Sequence, residues 1–283
     1  MPRTLRHFLD AIKFEHTVFA LPFAYVAMIL AAGGWPGWRV LVWITLAMAA
    51  ARTLAMSVNR LADRLIDAAN PRTAGRHLPT GLLKPWHMLL AAIASGGLLA
   101  LSAWMLNPLC FKLAPWAALF LVGYSYTKRF TWTSHWILGF TDGIAAAGGW
   151  IAVRGAFEPP AFVLWFALTV WIAGFDLIYA CQDVDFDRRV RLQSFPARFG
   201  IRAALRCARG CHLLTVAAFV ALGVMTGLGW IYWIGVVAVS ALFVYEHSLV
   251  SPEDLSRLDL AFFNVNGYIA VILFIAVLGG RML

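Results

Sequence analysis

The chain carries the same acidic pattern twice, each time at the end of a long apolar stretch. The first copy follows the run 40–56 and the second follows the run 162–180. A spacing of four places the members of each copy on one face of a helix. Carboxylates cost about 2.5–3.5 kcal/mol each at the bilayer centre, so two copies predict oxygen ligands that face a shared cavity. The residues concerned are Asn59, Asp63, Asp67, Tyr179, Asp183 and Asp187.

Composition indicates that lipid is the solvent around this chain. Hydrophobic residues make up 61% of it and charged residues 13%, against about 45–50% and about 25% in soluble domains. Apolar runs of roughly 17–25 residues predict about nine spanning helices. We therefore expect an all-α integral membrane protein with a central cavity. The runs are 16–33, 40–67, 87–106, 114–127, 135–153, 161–187, 202–228, 232–246 and 260–280.

The order of these runs predicts a single transmembrane domain, 1–283, built from two halves. The halves are 16–128 and 135–246, each with its acidic motif on its second helix, and the helix 260–280 is an addition. Before the first span, apolar residues recur at helical spacing. The segment 1–15 is thus predicted to be an amphipathic helix lying on the membrane surface.

Basic residues set the predicted topology. The formal charge is +9, and the arginines and lysines concentrate in the even-numbered connections between helices. The positive-inside rule places those connections and the N-terminus in the cytoplasm, so both acidic motifs are expected at the cytoplasmic face. Because topology explains much of the excess charge, no nucleic-acid partner is predicted. These residues are Arg64, Arg72, Arg76, Lys84, Lys128, Arg129, Arg188, Arg189, Arg191 and Arg198.

The residue types at the motifs suit phosphate chemistry. Carboxylate and amide oxygens are ligands for Mg²⁺, which often completes its shell with substrate phosphates. Neighbouring cations would stabilise a departing diphosphate, while apolar walls would hold an apolar tail. The sequence therefore predicts an enzyme that ionises a lipid diphosphate at the cytoplasmic face. The cations beside the motifs are Arg60, Arg64, Arg72, Arg76, Lys128 and Arg198.

The sequence around both motifs resembles that of the UbiA-type prenyltransferases, and most of all that of the 4-hydroxybenzoate polyprenyltransferases. Similar sequences include the prenyltransferase of the futalosine route to menaquinone. The resemblance covers essentially the whole chain. It is carried by Asn59 to Asp67 with Asn70-Pro71-Arg72-Thr73 and Arg76, by Asp176-x2-Tyr179-x3-Asp183-x3-Asp187 with 194–200, by Tyr124-x-Tyr126-Thr127-Lys128-Arg129, and by Lys13-Phe14-Glu15-His16-Thr17.

The resemblance implies a UbiA-like helical bundle, a mechanism and a role for each site residue. Mg²⁺ would bridge a polyprenyl diphosphate to Asn59, Asp63, Asp67, Asp183 and Asp187. Basic side chains would neutralise the diphosphate further, namely Arg60, Arg72, Arg76, Lys128 and Arg198. Tyr124 and Tyr179 would shield the allylic cation, and an aromatic acid would capture it. Asp176 would orient the phenol or assist loss of a proton, and a loop arginine would bind the acceptor carboxylate.

Several alternatives stay open at this level. The acceptor is 4-hydroxybenzoate or 1,4-dihydroxy-6-naphthoate, both in respiratory quinone synthesis. An ion-coupled transporter also places acids in membranes. The aspartates could instead be helix-end charges paired with Arg64, Arg188 and Arg189, and the tyrosines could be interfacial belt residues. Localisation in a bacterial inner membrane is expected from the family resemblance.

Overall fold

The computed structural model describes residues 3–13 and 17–282, and within these ranges every regular element is helical. The fold class predicted from the sequence is confirmed. The helices are α1 (Arg3–Ala11), α2 (Thr17–Ala32), α3 (Trp38–Ala69), α4 (Pro85–Leu106), α5 (Pro108–Thr127), α6 (Ser134–Arg154), α7 (Pro159–Ala180), α8 (Val184–Val190), α9 (Phe195–Phe199), α10 (Ile201–Thr226), α11 (Trp230–Ser248) and α12 (Asn266–Met282).

The number of spans agrees with the predicted number of about nine. In the described part of the chain, eight helical segments are long and apolar enough to cross a membrane. They are α3, α4, α5, α6, α7 with its continuation into α8, α10, α11, and α12 with the turn that precedes it. The shorter apolar part of α2, Leu21–Ala32, adds one more candidate. The chain is a multi-pass membrane protein.

Close packing of α6 against its neighbours depends on glycine. A Cβ on Gly139 would collide with the carbonyl of Thr169 on α7, and one on Gly149 would collide with the carbonyl of Ala24 on α2. A Cβ on the adjacent Gly148 would meet nothing within 4 Å. Glycine is therefore required at helix crossings rather than throughout α6. This packing places α7 at the centre of the bundle, with Leu164, Leu168 and Trp171 among the fully buried side chains.

The second acidic motif lies at a 3₁₀ turn inside the helical span Pro159–Val190, which covers the helix predicted for 161–187. Helix α7 ends at Ala180, a 3₁₀ turn covers Cys181–Asp183, and α8 follows. The backbone N–H of Cys181 donates to the carbonyls of Ile178 and Tyr179. The Gln182 side chain also donates to the Tyr179 carbonyl, at 2.9 Å. These bonds tighten the turn and place Asp183 and Asp187 on separate segments.

Helix α5 begins six residues before its predicted start. Asn107 caps it, since its side chain accepts a bond from the backbone N–H of Cys110 at 2.9 Å. Pro108 occupies the first helical turn, where its missing N–H costs nothing. The Asn-Pro pair thus separates α4 from α5 and also starts α5.

The N-terminal helix α1 packs over the end of α3. Arg60 Nε donates to the carbonyl of Ala11 at 2.8 Å, and Ala11 and Ile12 pack with Leu83 and Met88. The end of the predicted surface helix and most of the 13–17 motif fall on residues 14–16, which lie outside the described residues. The division into two halves and an added helix stays a prediction.

Candidate active site

The two acidic motifs meet, although they are more than a hundred residues apart in sequence. Asn70, directly after α3, donates from Nδ2 to Asp183 Oδ1 at 3.0 Å. Arg72 grips the same carboxylate with two bonds, Nε to Oδ1 at 2.9 Å and one terminal nitrogen to Oδ2 at 2.5 Å. The loop that follows the first motif therefore lies directly against the second.

Arg72 also joins the second motif to an aromatic ring. Its guanidinium donates to the hydroxyl oxygen of Tyr179 at 3.1 Å and lies 5.4 Å from the ring centre. Burial on its own would lower the pKa of Arg72, but its hydrogen bonds to Asp183 and the charge of that carboxylate outweigh burial and raise the pKa above its ordinary value. Arg72 is therefore a permanent cation at the junction of the motifs.

The central aspartate of the first motif is buried and ion-paired. Asp63 is 2% exposed. Lys128 Nζ lies 2.6 Å from its Oδ2 and Arg129 lies 3.4 Å from its Oδ1. Asn59 donates to Oδ2 at 3.3 Å. A buried carboxylate needs such partners, and here the lysine that supplies one comes from the end of α5.

The remaining aspartates are also buried, at 5% exposure for Asp67 and 8% for Asp187. Arg76 pairs with Asp67 at 2.7 Å. Among the described residues, none of the four aspartates pairs with its sequence neighbours Arg64, Arg188 or Arg189, so the helix-end alternative does not describe this site. Asp183 pairs instead with Arg72 from the loop after α3, and Asp63 pairs with Lys128 and Arg129 after α5.

The donor chemistry of this junction fits a divalent cation together with a phosphate ligand. Three of the four aspartates, Asp63, Asp67 and Asp183, are ion-paired with cations of the loops, and the fourth, Asp187, is buried. The aspartates of the motifs do not bring three ligand atoms within 4.8 Å of one another; in the described part of the chain only His7, Asp10 and His77 do. Mg²⁺ is usually held by one or two carboxylates plus substrate phosphates, not by an all-protein cage, and each motif offers that much.

A cavity of about 540 Å³ runs through the bundle beside this junction. On α3 its lining extends from Ile44 to Arg60, which corresponds to roughly 24 Å at 1.5 Å per residue. Its walls are mainly apolar, and its polar end contains predicted site residues. Those that line the cavity are Asn59, Arg60, Arg76, Tyr124, Asp176 and Tyr179.

Asp176 is held by a histidine that the sequence did not single out for catalysis. His135 Nδ1 lies 2.7 Å from Asp176 Oδ2, and the backbone N–H of Phe195 points at His135 Nε2 at 3.2 Å. A backbone N–H can only donate, so Nε2 accepts and Nδ1 carries the proton. His135 thus donates to Asp176 and orients a carboxylate that faces the cavity.

Three further charged residues line the cavity, namely Lys13, Arg52 and Asp142; none of them was predicted as a site residue. Arg52 lies seven residues before Asn59, on the same face of α3, and Asp142 lies on α6. The Nε of Arg52 is buried without a hydrogen-bond partner in the described part of the chain. An arginine two turns deeper than the motif on one helix face is the sequence signal that would have found it.

Arg198 is the predicted diphosphate ligand that the structure leaves apart. It is exposed on α9, its guanidinium lies 5.4 Å from the ring centre of Phe199, and it forms no ion pair with the four aspartates among the described residues. Arg60, by contrast, lines the cavity, and its Nε donates a hydrogen bond to the carbonyl of Ala11.

Comparison with known proteins identifies the family of this chain. A family model described as the UbiA prenyltransferase family matches residues 20–275. The chain belongs to the UbiA prenyltransferase family. It is therefore a prenyltransferase, and the transporter alternative falls away.

Curated relatives align along most of this chain. The 4-hydroxybenzoate octaprenyltransferase of Paraburkholderia phytofirmans is 29% identical over 252 residues, which cover 89% of this chain and 87% of that protein. The protein of the same name from Vibrio cholerae serotype O1 is 31% identical over 249 residues, covering 87% and 86%.

Solved structures share the fold. The apo structure of a UbiA homologue from Aeropyrum pernix K1 has a TM-score of 0.85 at 30% identity and covers 93% of this chain and 97% of that chain. A UbiA homologue from Archaeoglobus fulgidus bound to GPP and Mg²⁺ has a TM-score of 0.72 at 19% identity, covering 98% and 100%. At that identity the second likeness concerns the fold alone.

Proposed function

We propose that this UbiA-family prenyltransferase moves a polyprenyl group from its diphosphate to an aromatic acid, with 4-hydroxybenzoate as the acceptor and Mg²⁺ as the cofactor. One observation carries the proposal: two acidic motifs and their cations meet beside an apolar cavity that contains an arginine. The name 4-hydroxybenzoate octaprenyltransferase on relatives that align along most of the chain supports the choice of acceptor. The reaction belongs to respiratory quinone synthesis.

The metal ligands in this proposal are the oxygens of both motifs, namely Asn59, Asp63, Asp67, Asp183 and Asp187. When bound, Mg²⁺ supplies positive charge that stabilises the leaving diphosphate. The cations at the junction are already paired with Asp63, Asp67 and Asp183 before substrate arrives. A bound divalent cation would therefore add positive charge for the diphosphate.

The chain's own cations receive the diphosphate oxygens. Arg72, Arg76 and Lys128 already lie at the junction in charge-assisted bonds to aspartates, and such donors bind phosphate oxygens equally well. The C–O bond breaks, the diphosphate leaves with the electron pair, and an allylic cation remains at the mouth of the cavity. Tyr179 and Tyr124 line that cavity and offer ring faces to the cation.

Arg52 is suited to the acceptor carboxylate better than the loop arginines, which are already ion-paired. Its Nε–H is buried without an acceptor, and it lies roughly 10 Å along α3 from Asn59 at 1.5 Å per residue. An acid bound there would place its ring between Arg52 and the diphosphate. Asp176, oriented by His135, would accept a hydrogen bond from the phenol and assist loss of the ring proton.

The second acceptor, 1,4-dihydroxy-6-naphthoate, also carries a carboxylate, so Arg52 does not discriminate between them. The decisive experiment offers both acids with a polyprenyl diphosphate to protein reconstituted in liposomes. Mass spectrometry should show prenylated 4-hydroxybenzoate with Mg²⁺ and none with EDTA. Prenylation of the naphthoate alone would overturn the choice of acceptor, and diphosphate release without Mg²⁺ would overturn the cofactor.

A matched pair of variants tests the role of the second motif in the same assay. Asp183→Asn removes the carboxylate that binds Asn70 and Arg72 and should lower turnover about 100-fold or more. Asp185→Asn alters an exposed aspartate two residues away and should leave turnover unchanged. Equal turnover in both variants would remove Asp183 from the site.

The bacterial relatives support an inner-membrane location, and the charge pattern supports an orientation with the N-terminus and the catalytic loops in the cytoplasm. Single cysteines introduced at Thr80 and Phe157, both exposed, can be placed in a chain whose native cysteines are replaced. A thiol reagent that does not cross the membrane should label Phe157→Cys in intact cells. It should label Thr80→Cys only after the cytoplasmic side is opened. Labelling of Thr80→Cys in intact cells would reverse the topology.

A further inference from the structure

The last spanning helix begins with a π-helical turn beside the second acidic motif. Leu260–Val265 form this turn, and α12 continues from Asn266. Such turns are rare and occur frequently at functional sites. Here Phe262, Phe263 and Asn266 all line the cavity described above. The turn therefore contributes directly to the wall of the reaction chamber.

Asn266 fixes this turn by joining three elements. Trp171 Nε1, on α7, donates to Asn266 Oδ1 at 2.8 Å. An indole N–H can only donate, so the amide oxygen faces Trp171 and the amide nitrogen faces the other way. That nitrogen donates to Glu246 Oε1 on α11 at 3.0 Å and to the carbonyls of Ala261 and Phe262, each at 3.1 Å. The orientation of the amide is thus determined by its partners.

This network is costly for a simple helix contact. Asn266 is 2% exposed and Glu246 is fully buried. Oε2 of Glu246 forms no hydrogen bond among the described residues, and His212 Nδ1 lies 3.6 Å from it. Buried polar groups in a membrane carry a desolvation cost that apolar side chains of similar volume avoid. Adhesion of α7, α11 and α12 does not require it. Orientation of the π-helical turn makes use of it, because the Asn266 amide donates to the carbonyls of Ala261 and Phe262 inside that turn.

The oriented turn presents Phe262 to the second motif. The rings of Phe262 and Tyr179 stack with centroids 4.0 Å apart and an angle of 28° between planes. The Tyr179 hydroxyl oxygen accepts a bond from Arg72, which holds Asp183. A continuous set of contacts therefore connects Asn266 to the proposed diphosphate site.

We propose that Asn266 is a positioning residue for prenyl transfer, because it sets Phe262 against Tyr179 and so closes the aromatic wall beside the diphosphate. This inference rests on the proposed function. After the C–O bond breaks and diphosphate leaves with the electron pair, the allylic cation has two fates. A ring carbon of the acceptor captures it and loses its proton, or the oxygen of water captures it and loses a proton to give a prenyl alcohol. A closed wall favours the first fate.

The test compares Asn266→Ala with Asn264→Ala, which alters an exposed residue of the same turn. Each variant is reconstituted with Mg²⁺, a polyprenyl diphosphate and saturating 4-hydroxybenzoate, and both products are quantified by mass spectrometry. In Asn266→Ala, kcat for the prenylated acid should fall about tenfold or more, as expected for a misplaced wall. The alcohol share of the products should rise severalfold, with KM for the diphosphate unchanged. Asn264→Ala should match the wild type.

Two more variants keep the inference falsifiable if Asn266→Ala does not fold. Glu246→Gln keeps an acceptor for the Asn266 amide and should retain the wild-type product ratio. Phe262→Leu removes the stacked ring and leaves the Asn266 network intact, so it should raise the alcohol share by itself. A folded Asn266→Ala or Phe262→Leu with the wild-type product ratio would overturn the positioning role. Wild-type protein that forms neither product would overturn the proposed function instead.

Discussion

At the scale of single residues, the site is defined by which cation each aspartate faces. The spacing of four predicted that the acids share a face, and the charge pattern predicted that both motifs lie at one end of the bundle. The partners were not predictable in the same way. Arg72 reaches Asp183 because the loop after α3 lies against the 3₁₀ turn that precedes α8, and no local pattern encodes that path. The metal and diphosphate roles of these residues remain proposals.

The proposed role of Arg52 could not be predicted from the sequence, for a different reason. A single arginine in an apolar run reads as a topology residue or a helix contact, and only the folded cavity shows that its Nε–H faces no acceptor. In the proposed function, this Nε–H forms a hydrogen bond only when the carboxylate of the aromatic acid is bound. The sequence shows that Arg52 and Asn59 share one face of a helix, but it does not show which residues surround Arg52.

Arg52→Gln should therefore weaken binding of the aromatic acid and leave the diphosphate site intact. Loss of a charge-assisted bond worth about 1.5–3 kcal/mol raises KM for the acid roughly 10- to 100-fold. KM for the prenyl diphosphate should stay constant, which steady-state kinetics with each substrate varied in turn will show. Arg154→Gln, at an exposed pair with Glu158, serves as the control. A change confined to the diphosphate KM would contradict the assignment.

At the scale of helices, apolar runs located the elements well, while polar side chains decided where they end. The segment 161–187 read as one helix because its residues are apolar and then regularly acidic. The turn at Cys181 tightens this helix locally, because the Gln182 side chain and the Cys181 backbone N–H both donate to the Tyr179 carbonyl. A pattern of apolar residues does not reveal bonds of this kind. The start of α5 was missed for the same reason, since Asn107 acts as a cap and not simply as a breaker.

Glycine positions in α6 give a prediction about packing. Gly149→Ala forces a Cβ against the Ala24 carbonyl, and overpacking of this kind costs about 1–3 kcal/mol. The thermal midpoint in detergent should fall. Gly148→Ala, where a Cβ meets nothing within 4 Å, should leave the midpoint unchanged or raise it slightly through better helix propensity. Equal midpoints in the two variants would contradict the packing described for α2 and α6.

At the scale of the whole molecule, composition and the length of the apolar runs determined the class. An apolar share of 61%, arranged in runs of roughly 17–25 residues, predicts a helical membrane bundle, because a helix satisfies its backbone groups within its own segment in lipid. The number of spans followed from run length. The cavity did not, because its shape depends on how α3, α5, α6 and α7 cross, and those crossings depend on small residues such as Gly139 and Gly143.

The central claim is that both acidic motifs act on one diphosphate. The direct measurement is a double-mutant comparison of turnover with Mg²⁺ for Asp63→Asn, Asp183→Asn and the variant that carries both. If the motifs form one site, each single variant loses about 100-fold or more, and the double variant loses little beyond either single one, because residues that act as a unit are not additive. Losses that multiply in the double variant, or turnover retained in either single variant, would contradict a shared site.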